Sequence, residues 1–453
     1  MRDAFTVTRV TDIAPGAGWS FPTGFTEFAG DLYFIAEEPE HGRELYRIGR
    51  DGTAVRVTDI AGGSASSHPD SLTPFGGALY FSAEESEHGR ELYRLDRNGA
   101  VSLVADITPG SGGSNPGSQP EPFFEYRGAL YFDAADPEHG NELYRVSRDG
   151  TVSLVADINP GPAGSSPTYF TEFRGEMYFS AGDAAHGAEL FKLGRDGAVS
   201  LVADLWPGGE SSIPYGYTVH DGALYFTAAD PEHGRELRRM SRDGTVSLVA
   251  DLNPGSASTF MSDLVEYRGD LYFRAETPGY GGELYKLGRD GTVSLVADIW
   301  PGARGSNPSD FTEYRGELYF SADDPEHRTE LYKLSRDGTV SLVADIAPGA
   351  VNSNPNNFTE YRGSLFFAAD EPEHGRELYR LDADGEVHLV ADINPDPVSG
   401  HPSMGGSGPH GFFEHRGDLY FVADERQHGM EVYKVSVGAA AAGLDPWSTL
   451  LGC

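Results

Sequence analysis

Short runs of alternating apolar and polar residues return in a fixed order along the chain. Residues 305–349 contain four of them, FTEYR, ELYFSA, ELYKLS and TVSLVADI, all rich in Phe, Tyr, Leu and Val. Such alternation over a few residues is typical of β-strands. Turn signals separate the runs, because the glycines of Arg315-Gly316 and Asp337-Gly338 accept the positive φ that tight hairpins require. The unit therefore predicts a four-stranded antiparallel sheet.

Copies of this unit fill nearly the whole chain. The glycine before the second strand recurs with intervals of 47, 51, 47, 47, 47, 47, 47 and 54 residues. Its nine positions are Gly30, Gly77, Gly128, Gly175, Gly222, Gly269, Gly316, Gly363 and Gly417. A period of this length with four strands per unit is the sequence signature of a β-propeller. We predict an all-β, nine-bladed propeller of four-stranded antiparallel blades.

The two ends of the repeat array complement each other. Residues 5–13, FTVTRVTDI, match the fourth strand of the unit, whereas the ninth copy supplies only the first three strands. The N-terminal strand is therefore predicted to complete the last blade in a three-plus-one closure, which removes exposed sheet edges. Residues 1–437 then form one domain, and residues 438–453 form a separate tail. An open or two-ring arrangement is the alternative.

Strand direction sorts the connections onto two faces. The tight hairpins lie on one face, which we call the tight-turn face. The DPEHG-type loops and the long DINPG-to-SNP loops lie on the other, the long-loop face. Arginines recur in the hairpins, and most of the unpaired acids recur in the longer loops. Because binding residues concentrate on long loops of rigid scaffolds, the acidic long-loop face is the predicted functional surface.

The overall charge narrows the classes of partner. Asp and Glu total 70 against 34 Lys and Arg, which gives a formal charge of −36. This field repels nucleic acid and anionic membranes, and it favours a protein, glycan or cationic ligand. An acidic surface that mainly maintains solubility is the alternative. No apolar run reaches the length of a membrane span or signal peptide, so the sequence as written predicts a cytoplasmic protein. Prior removal of an export signal would instead place it outside the cell.

The repeated sequence motifs resemble those of a known family. The strings DIxPG, GS.P, LYFSA, HG and EL(Y)...DGT make residues 5–436 similar to the bacterial ELWxxDGT repeat family. Tyr332 stands where the family has Trp, and the hairpin before Asp337-Gly338-Thr339 is two residues longer. The resemblance implies a β-propeller, in bacterial proteins that are often large and exported or surface-attached. It implies no established catalytic residues.

Two acids occur once in every unit. A glutamate begins the third strand at Glu44, Glu91, Glu142, Glu189, Glu236, Glu283, Glu330, Glu377 and Glu431. An aspartate ends the fourth strand at Asp12, Asp59, Asp106, Asp157, Asp204, Asp251, Asp298, Asp345 and Asp392. A residue that occurs in every blade is best explained by a structural role that every blade requires. Both acids are predicted to accept hydrogen bonds from backbone N–H groups of the nearby loops.

Metal binding is a second interpretation of the acidic loops. Candidate Ca²⁺ ligands are Asp323, Asp324 and Glu326 in one loop and Asp370, Glu371 and Glu373 in the next. Neither cluster has the spacing of a calcium-binding loop. A histidine recurs in eight of the nine units, with Tyr280 in the remaining one: His41, His88, His139, His186, His233, His327, His374 and His428. Neighbouring copies are too far apart to share a zinc ion, so loop packing is predicted for them.

Departures from the repeat are the places where an asymmetric site can form. Insertions occupy residues 116–123 and 395–411, and the second brings His401, Met404 and His410 near the chain closure. An enzyme site there is one alternative function, although no nucleophile with a base is recognisable. Trp19, Trp206 and Trp300 lie in or beside the long loops, where rings can stack on sugars; their irregular placement favours packing.

The tail, GAAAAGLDPWSTLLGC, belongs to no blade and contains the only cysteine, Cys453. A lone cysteine excludes an intramolecular disulfide. An unstructured end is the expected state of such a tail. The alternative is a carrier protein that displays residues 444–453 for a tail-modifying enzyme acting through the Cys453 thiol. The function predicted first is a non-catalytic binding or scaffolding propeller.

Overall fold

The computed structural model describes residues 5–109, 117–349, 351–395 and 406–437. Within these ranges all regular secondary structure elements are β-strands, and they form nine four-stranded antiparallel sheets. The sheets are the blades of a nine-bladed β-propeller, as the repeat predicts. We number the blades 1 to 9 in chain order.

Blades 1 to 8 are each built from four consecutive strands, and blade 9 combines the last three strands of the chain with the first. The first strands are Thr23–Phe28, Asp70–Phe75, Glu121–Tyr126, Thr168–Phe173, Tyr215–His220, Met261–Tyr267, Ser309–Tyr314, Asn356–Tyr361 and His410–His415. The second strands are Asp31–Glu38, Ala78–Glu85, Ala129–Asp136, Glu176–Asp183, Ala223–Asp230, Asp270–Thr277, Glu317–Asp324, Ser364–Glu371 and Asp418–Glu425. The third strands are Gly42–Ile48, Gly89–Asp96, Gly140–Ser147, Gly187–Leu193, Gly234–Met240, Gly281–Leu287, Arg328–Leu334, Gly375–Leu381 and Gly429–Val437. The fourth strands are Ala54–Arg56, Val101–Ala105, Val152–Ala156, Val199–Ala203, Val246–Ala250, Val293–Ala297, Val340–Ala344, Val387–Ala391 and, for blade 9, Phe5–Arg9.

The N-terminal strand closes the ring. Phe5–Arg9 pairs antiparallel with Gly429–Val437, in a register that runs from Phe5 opposite Val437 to Arg9 opposite Tyr433. Beyond the strand, the backbone N–H of Val10 donates to the carbonyl of Val432 at 2.7 Å. The predicted three-plus-one closure is confirmed, and the open arrangement is wrong because the terminal blade has its fourth strand.

The first strands line the central channel. Each contacts the first strands of both neighbouring blades, and the contact between Thr23–Phe28 and His410–His415 completes the circle. The register of each first strand shifts within its opening residues, as between Ser309 and Thr312. In seven of the blades the residue inside this bulge has positive φ, for example 58° at Asp310. Because these strands are innermost, their exposed positions lie on the channel wall.

The hydrophobic core lies between the blades. Leu318 and Phe320 of blade 7 are fully buried and pack against Tyr272 and Leu284 of blade 6. The same arrangement recurs as nine clusters around the ring. Both faces of the second and third strands are buried in this way, which explains the consecutive apolar residues of the LYF runs. Nothing in the described ranges forms a helix long and apolar enough to cross a membrane.

Candidate functional site

The long loops are fixed by the repeated glutamate. Glu283 is fully buried, and its carboxylate accepts hydrogen bonds from the backbone N–H groups of Ile299 and Trp300, both at 3.1 Å. The same carboxylate accepts bonds from the N–H (2.9 Å) and hydroxyl (2.5 Å) of Ser306. One side chain thus joins the turn after the fourth strand to the turn before the next blade. All nine glutamates are fully buried.

This finding confirms the loop-bonding role predicted for the glutamates and corrects the one predicted for the aspartates. In the turn that follows Asp298, the backbone N–H groups of Ile299 and Trp300 donate to Glu283 instead. The aspartate side chains point outward because the buried carboxylate already satisfies the turn. Eight of them are exposed: Asp12, Asp59, Asp157, Asp204, Asp251, Asp298, Asp345 and Asp392.

Burial changes the acidity of the glutamates. Desolvation raises the pKa of Glu330 and of Glu377 to about 7, although hydrogen bonds from Ser353 and Ser407 act in the opposite direction. These two carboxyl groups therefore titrate near neutral pH.

The DPEHG-type loops contain a second repeated network. Asp324 accepts bonds from the N–H groups of Glu326 and His327, both at 2.6 Å, from Nδ1 of His327 at 2.8 Å, and from the hydroxyl of Tyr332. Burial raises the pKa of Asp324, but these hydrogen bonds outweigh it and lower the pKa to about 2. The bond to Asp324 in turn raises the pKa of His327.

The histidine of each such loop contacts the carboxylate three residues before it. The eight pairs are His41–Glu38, His88–Glu85, His139–Asp136, His186–Asp183, His233–Asp230, His327–Asp324, His374–Glu371 and His428–Glu425. The loop-packing role predicted for the histidines is confirmed. In the blade without a histidine, the N–H of Tyr280 donates to the carbonyl of Thr277 at 3.3 Å.

Most of the candidate calcium ligands have partners within the protein. Asp323 accepts a bond from the hydroxyl of Thr329, and Asp370 pairs with Arg376 at 2.8 Å. Asp324 and Glu371 bind their histidines, whereas Glu326 and Glu373 are exposed at loop tips. Two other groups bring three ligand atoms within 4.8 Å of one another in the described ranges: Glu85 with Glu87 and His88, and Asp382 with Asp384 and His388. Ca²⁺ binding stays a prediction.

The remaining candidate residues are not brought together. The ring of Trp300 lies 3.9 Å from the guanidinium carbon of Arg304, and the exposed Trp19 contacts Phe21. Trp206 is half-buried, and its backbone N–H donates to the carboxylate of Glu189 at 3.2 Å. His410 Nδ1 lies 2.9 Å from the carbonyl oxygen of Gly408. His401, Met404, Cys453 and residues 444–453 lie outside the described residues.

Arginines organise the tight-turn face. Arg336 donates to the carbonyls of Arg315 at 2.8 Å and Gly316 at 3.2 Å within blade 7. Other arginines cross to the next blade, as where Arg362 donates to the carbonyl of Gly417 at 3.0 Å. These side chains are exposed, so their charges remain in contact with water.

A ring of exposed glutamates lines the central channel. The next-to-last residue of the first strand is exposed in every blade, and in seven blades it is a glutamate. We call this set the glutamate ring: Glu27, Glu125, Glu172, Glu266, Glu313, Glu360 and Glu414. Sequence analysis missed it, although aligning the FTEYR-type runs places all seven at one repeat position. Pro74 and Val219 are the two exceptions.

Blade 5 interrupts the ring and contains an apolar cavity. A cavity of about 390 Å³ is lined by Tyr215, Gly216 and Tyr217 of blade 5 and by Phe260 and Met261 at the start of blade 6. We call it the blade-5 cavity. Gly216 contributes no side chain at a position where Tyr169 projects in blade 4. The signal in the sequence was Phe260-Met261, which replaces the residue and proline that end the Ser-x-Pro turn elsewhere.

Comparisons with known proteins leave the family open. No protein-family model matches the chain, and no curated protein sequence matches it. Among solved structures, a puromycin-hydrolyzing peptidase from Mycobacterium tuberculosis is 12% identical with a TM-score of 0.43 over 92% of this chain and 60% of the peptidase. The lectin BP39L from Burkholderia pseudomallei is 9% identical with a TM-score of 0.34, over 71% of this chain and 97% of the lectin. This chain thus spans about three fifths of the peptidase. Likeness at this level carries no function.

Proposed function

We propose that the protein is a non-catalytic binding propeller that holds a cationic protein partner on its long-loop face. The observation that supports this most is the circle of eight exposed aspartates at the ends of the fourth strands. They lie in loops that buried glutamates hold in place. A set of like charges repeated at fixed spacing suits a partner with several positive charges.

The loop architecture favours binding because it is pre-organised. The backbone of the long loop packs directly against the DPEHG-type loop, since a Cβ atom at Gly140 would lie 2.6 Å from the backbone nitrogen of Gly164. The buried carboxylate of Glu142 accepts a bond from the hydroxyl of Ser165 at 2.7 Å in the same place. Loops already ordered before binding lose little conformational entropy in a complex, which increases affinity.

Three other functions remain proposals that rest on the sequence. An enzyme site at residues 395–411 would involve His401, which lies outside the described residues, and His410, which contacts a backbone carbonyl. The carrier function depends on residues 444–453, which also lie outside them. A glycan ligand for Trp19, Trp206 and Trp300 is a third, and their separation in different blades gives it less support.

Site-specific photo-crosslinking in the cells that make the protein tests the proposed face. A photoreactive amino acid replaces the exposed Glu138 on the long-loop face or, as the matched control, the exposed Arg148 on the tight-turn face of the same blade. We expect a crosslinked protein with a basic surface from position 138 and none from position 148. Crosslinks confined to position 148, or equal at both, would refute the proposal.

A further inference from the structure

We propose that the blade-5 cavity binds an apolar side chain of a basic peptide segment, whose lysines or arginines pair with the glutamate ring on either side. This inference rests on the proposed function and identifies the part of the partner that is recognised. The cavity, its exposed apolar rim and the flanking charges each contribute to the argument.

Exposed hydrophobic residues concentrate around the cavity. Phe260 is 54% exposed, Tyr169 52%, Val219 46% and Ile213 45%. The rings of Tyr169 and Tyr215 lie 5.8 Å apart, which connects the rim to the cavity wall. Scattered exposed apolar residues need no explanation, but a contiguous group beside a cavity marks an interaction site.

The cavity has the size and lining of an anchor site. Its volume of about 390 Å³ falls in the range of ligand pockets, and tyrosine, phenylalanine and methionine side chains supply its wall. Interfaces are commonly dominated by one aromatic or aliphatic side chain that fills such a pocket. An apolar anchor is therefore the chemistry that this cavity fits.

The residues around the cavity favour a positively charged peptide residue next to the apolar anchor. In the channel, Glu172 of blade 4 and Glu266 of blade 6 flank Val219 at the same repeat position. That position lies three residues along the strand from Gly216, or about 10 Å at the rise of a β-strand. A lysine one or two residues from the anchor spans this distance. The net charge of −36 strengthens the attraction over longer range.

Two arginines beside the cavity are already bound to the protein. Arg235 donates to the carbonyls of Ile213 at 2.8 Å and Ser212 at 3.0 Å, and its guanidinium lies 4.8 Å from the ring of Tyr215. Arg274 donates to the side chain of Asn307 at 2.7 Å and lies 5.1 Å from the ring of Phe260. Both arginines support the aromatic wall. Of the two flanking ring members, Glu266 lies 3.2 Å from Nδ1 of the buried His220, and Glu172 is exposed.

Calorimetric titration with three peptides tests the inference. The probes are acetyl-Lys-Lys-Phe-Lys-Lys-amide, the same peptide with Ala for Phe, and the same peptide with Glu for every Lys. We expect the first to bind, the second to bind about tenfold more weakly because the anchor is lost, and the third not to bind. Phe260→Ala should weaken the first peptide by a similar factor, whereas Val219→Glu, which adds a carboxylate at the ring position, should not weaken it. The exposed Leu389 provides the control variant Leu389→Ala, which should bind as the wild type does.

Charge variants distinguish peptide binding at the cavity from non-specific attraction to the acidic surface. Glu172→Gln should weaken the Lys-Phe peptide, whereas Glu360→Gln, in the same ring but in blade 8, should have less effect. Equal binding of the Phe and Ala peptides, or unchanged binding by Phe260→Ala, would overturn the inference, as would no binding at all. If crosslinking from position 138 still captures a basic partner in that case, the proposed function stands without this cavity.

Discussion

The two faces of the disc are fixed by charges of opposite sign in different surroundings. On the long-loop face, each buried glutamate accepts bonds from loop N–H and hydroxyl groups, as Glu283 does. On the tight-turn face, exposed arginines such as Arg289 donate to hairpin carbonyls. Removing a buried acceptor leaves several donors without water, but removing an exposed donor leaves carbonyls that water can reach. Burial of the charged group, rather than the number of hydrogen bonds that it makes, therefore determines how strongly the stability of each face depends on its charges.

The largest expected effect comes from opening the ring that holds both faces. Deleting residues 1–13 removes the strand Phe5–Arg9 and exposes an edge of Gly429–Val437. We expect the melting temperature to fall more than for any substitution below, because apolar contacts of Phe5 and Val7 with the last blades are lost. Deletion of residues 1–4, which keeps the strand, is the control. An unchanged melt after the longer deletion would contradict a closed ring.

The comparison of the faces is tested most simply in one blade. Glu283→Ala leaves four hydrogen-bond donations to that carboxylate without an acceptor. We expect a loss of about 3 kcal/mol or more in the free energy of unfolding, at about 1–3 kcal/mol per buried unsatisfied group. Arg289→Ala should lower it by less than about 1 kcal/mol. Urea unfolding measures both, and equal losses would show that burial does not distinguish the faces.

The pH dependence of stability follows from the pKa shifts on the long-loop face. The pKa of Glu330 rises from 4.5 to about 7 on folding, so the folded protein retains a proton that the unfolded chain releases. This stabilisation is complete below pH 4.5 and is lost as the pH rises to 7. The raised pKa of His327, from 6.5, acts in the same direction at higher pH. The pKa of Asp324 falls from 3.8 to about 2 on folding, and the stabilisation that this shift provides is lost as the pH falls below 3.8.

We therefore expect the melting temperature to be highest at about pH 4–5 and to decrease toward pH 8. Glu377→Gln should reduce the slope between about pH 5 and pH 7, since one of the groups responsible is removed. Thermal melts across this range measure the slope. A melting temperature that increases from pH 5 to pH 8 would contradict the burial effect.

The smallest expected effect on stability belongs to the aspartate circle. Asp298→Asn changes an exposed residue in the loop that Glu283 holds, so the free energy of unfolding should change by less than about 0.5 kcal/mol. The same change should weaken capture of a cationic partner and reduce its dependence on salt. A large loss of stability would mean that the aspartate, too, holds the loop.

The sequence predicts the fold in detail because the repeat fixes strand order, loop faces and closure. It predicts less about individual side chains. Glu283 and Asp298 occupy equally regular repeat positions, and only the three-dimensional path shows that the glutamate is buried beneath both turns while the aspartate points outward. The blade-5 cavity depends on Gly216 of blade 5 together with Phe260 and Met261 of blade 6, which lie far apart in the linear pattern and meet only across the boundary between the two blades.

Hydrogen–deuterium exchange of the protein with and without acetyl-Lys-Lys-Phe-Lys-Lys-amide tests most directly which face binds. We expect slower exchange in residues 212–218 and 259–264, around the blade-5 cavity, with unchanged exchange in the outer hairpins at Asp290-Gly291 and Asp337-Gly338. Slower exchange confined to those outer hairpins would contradict binding at the cavity.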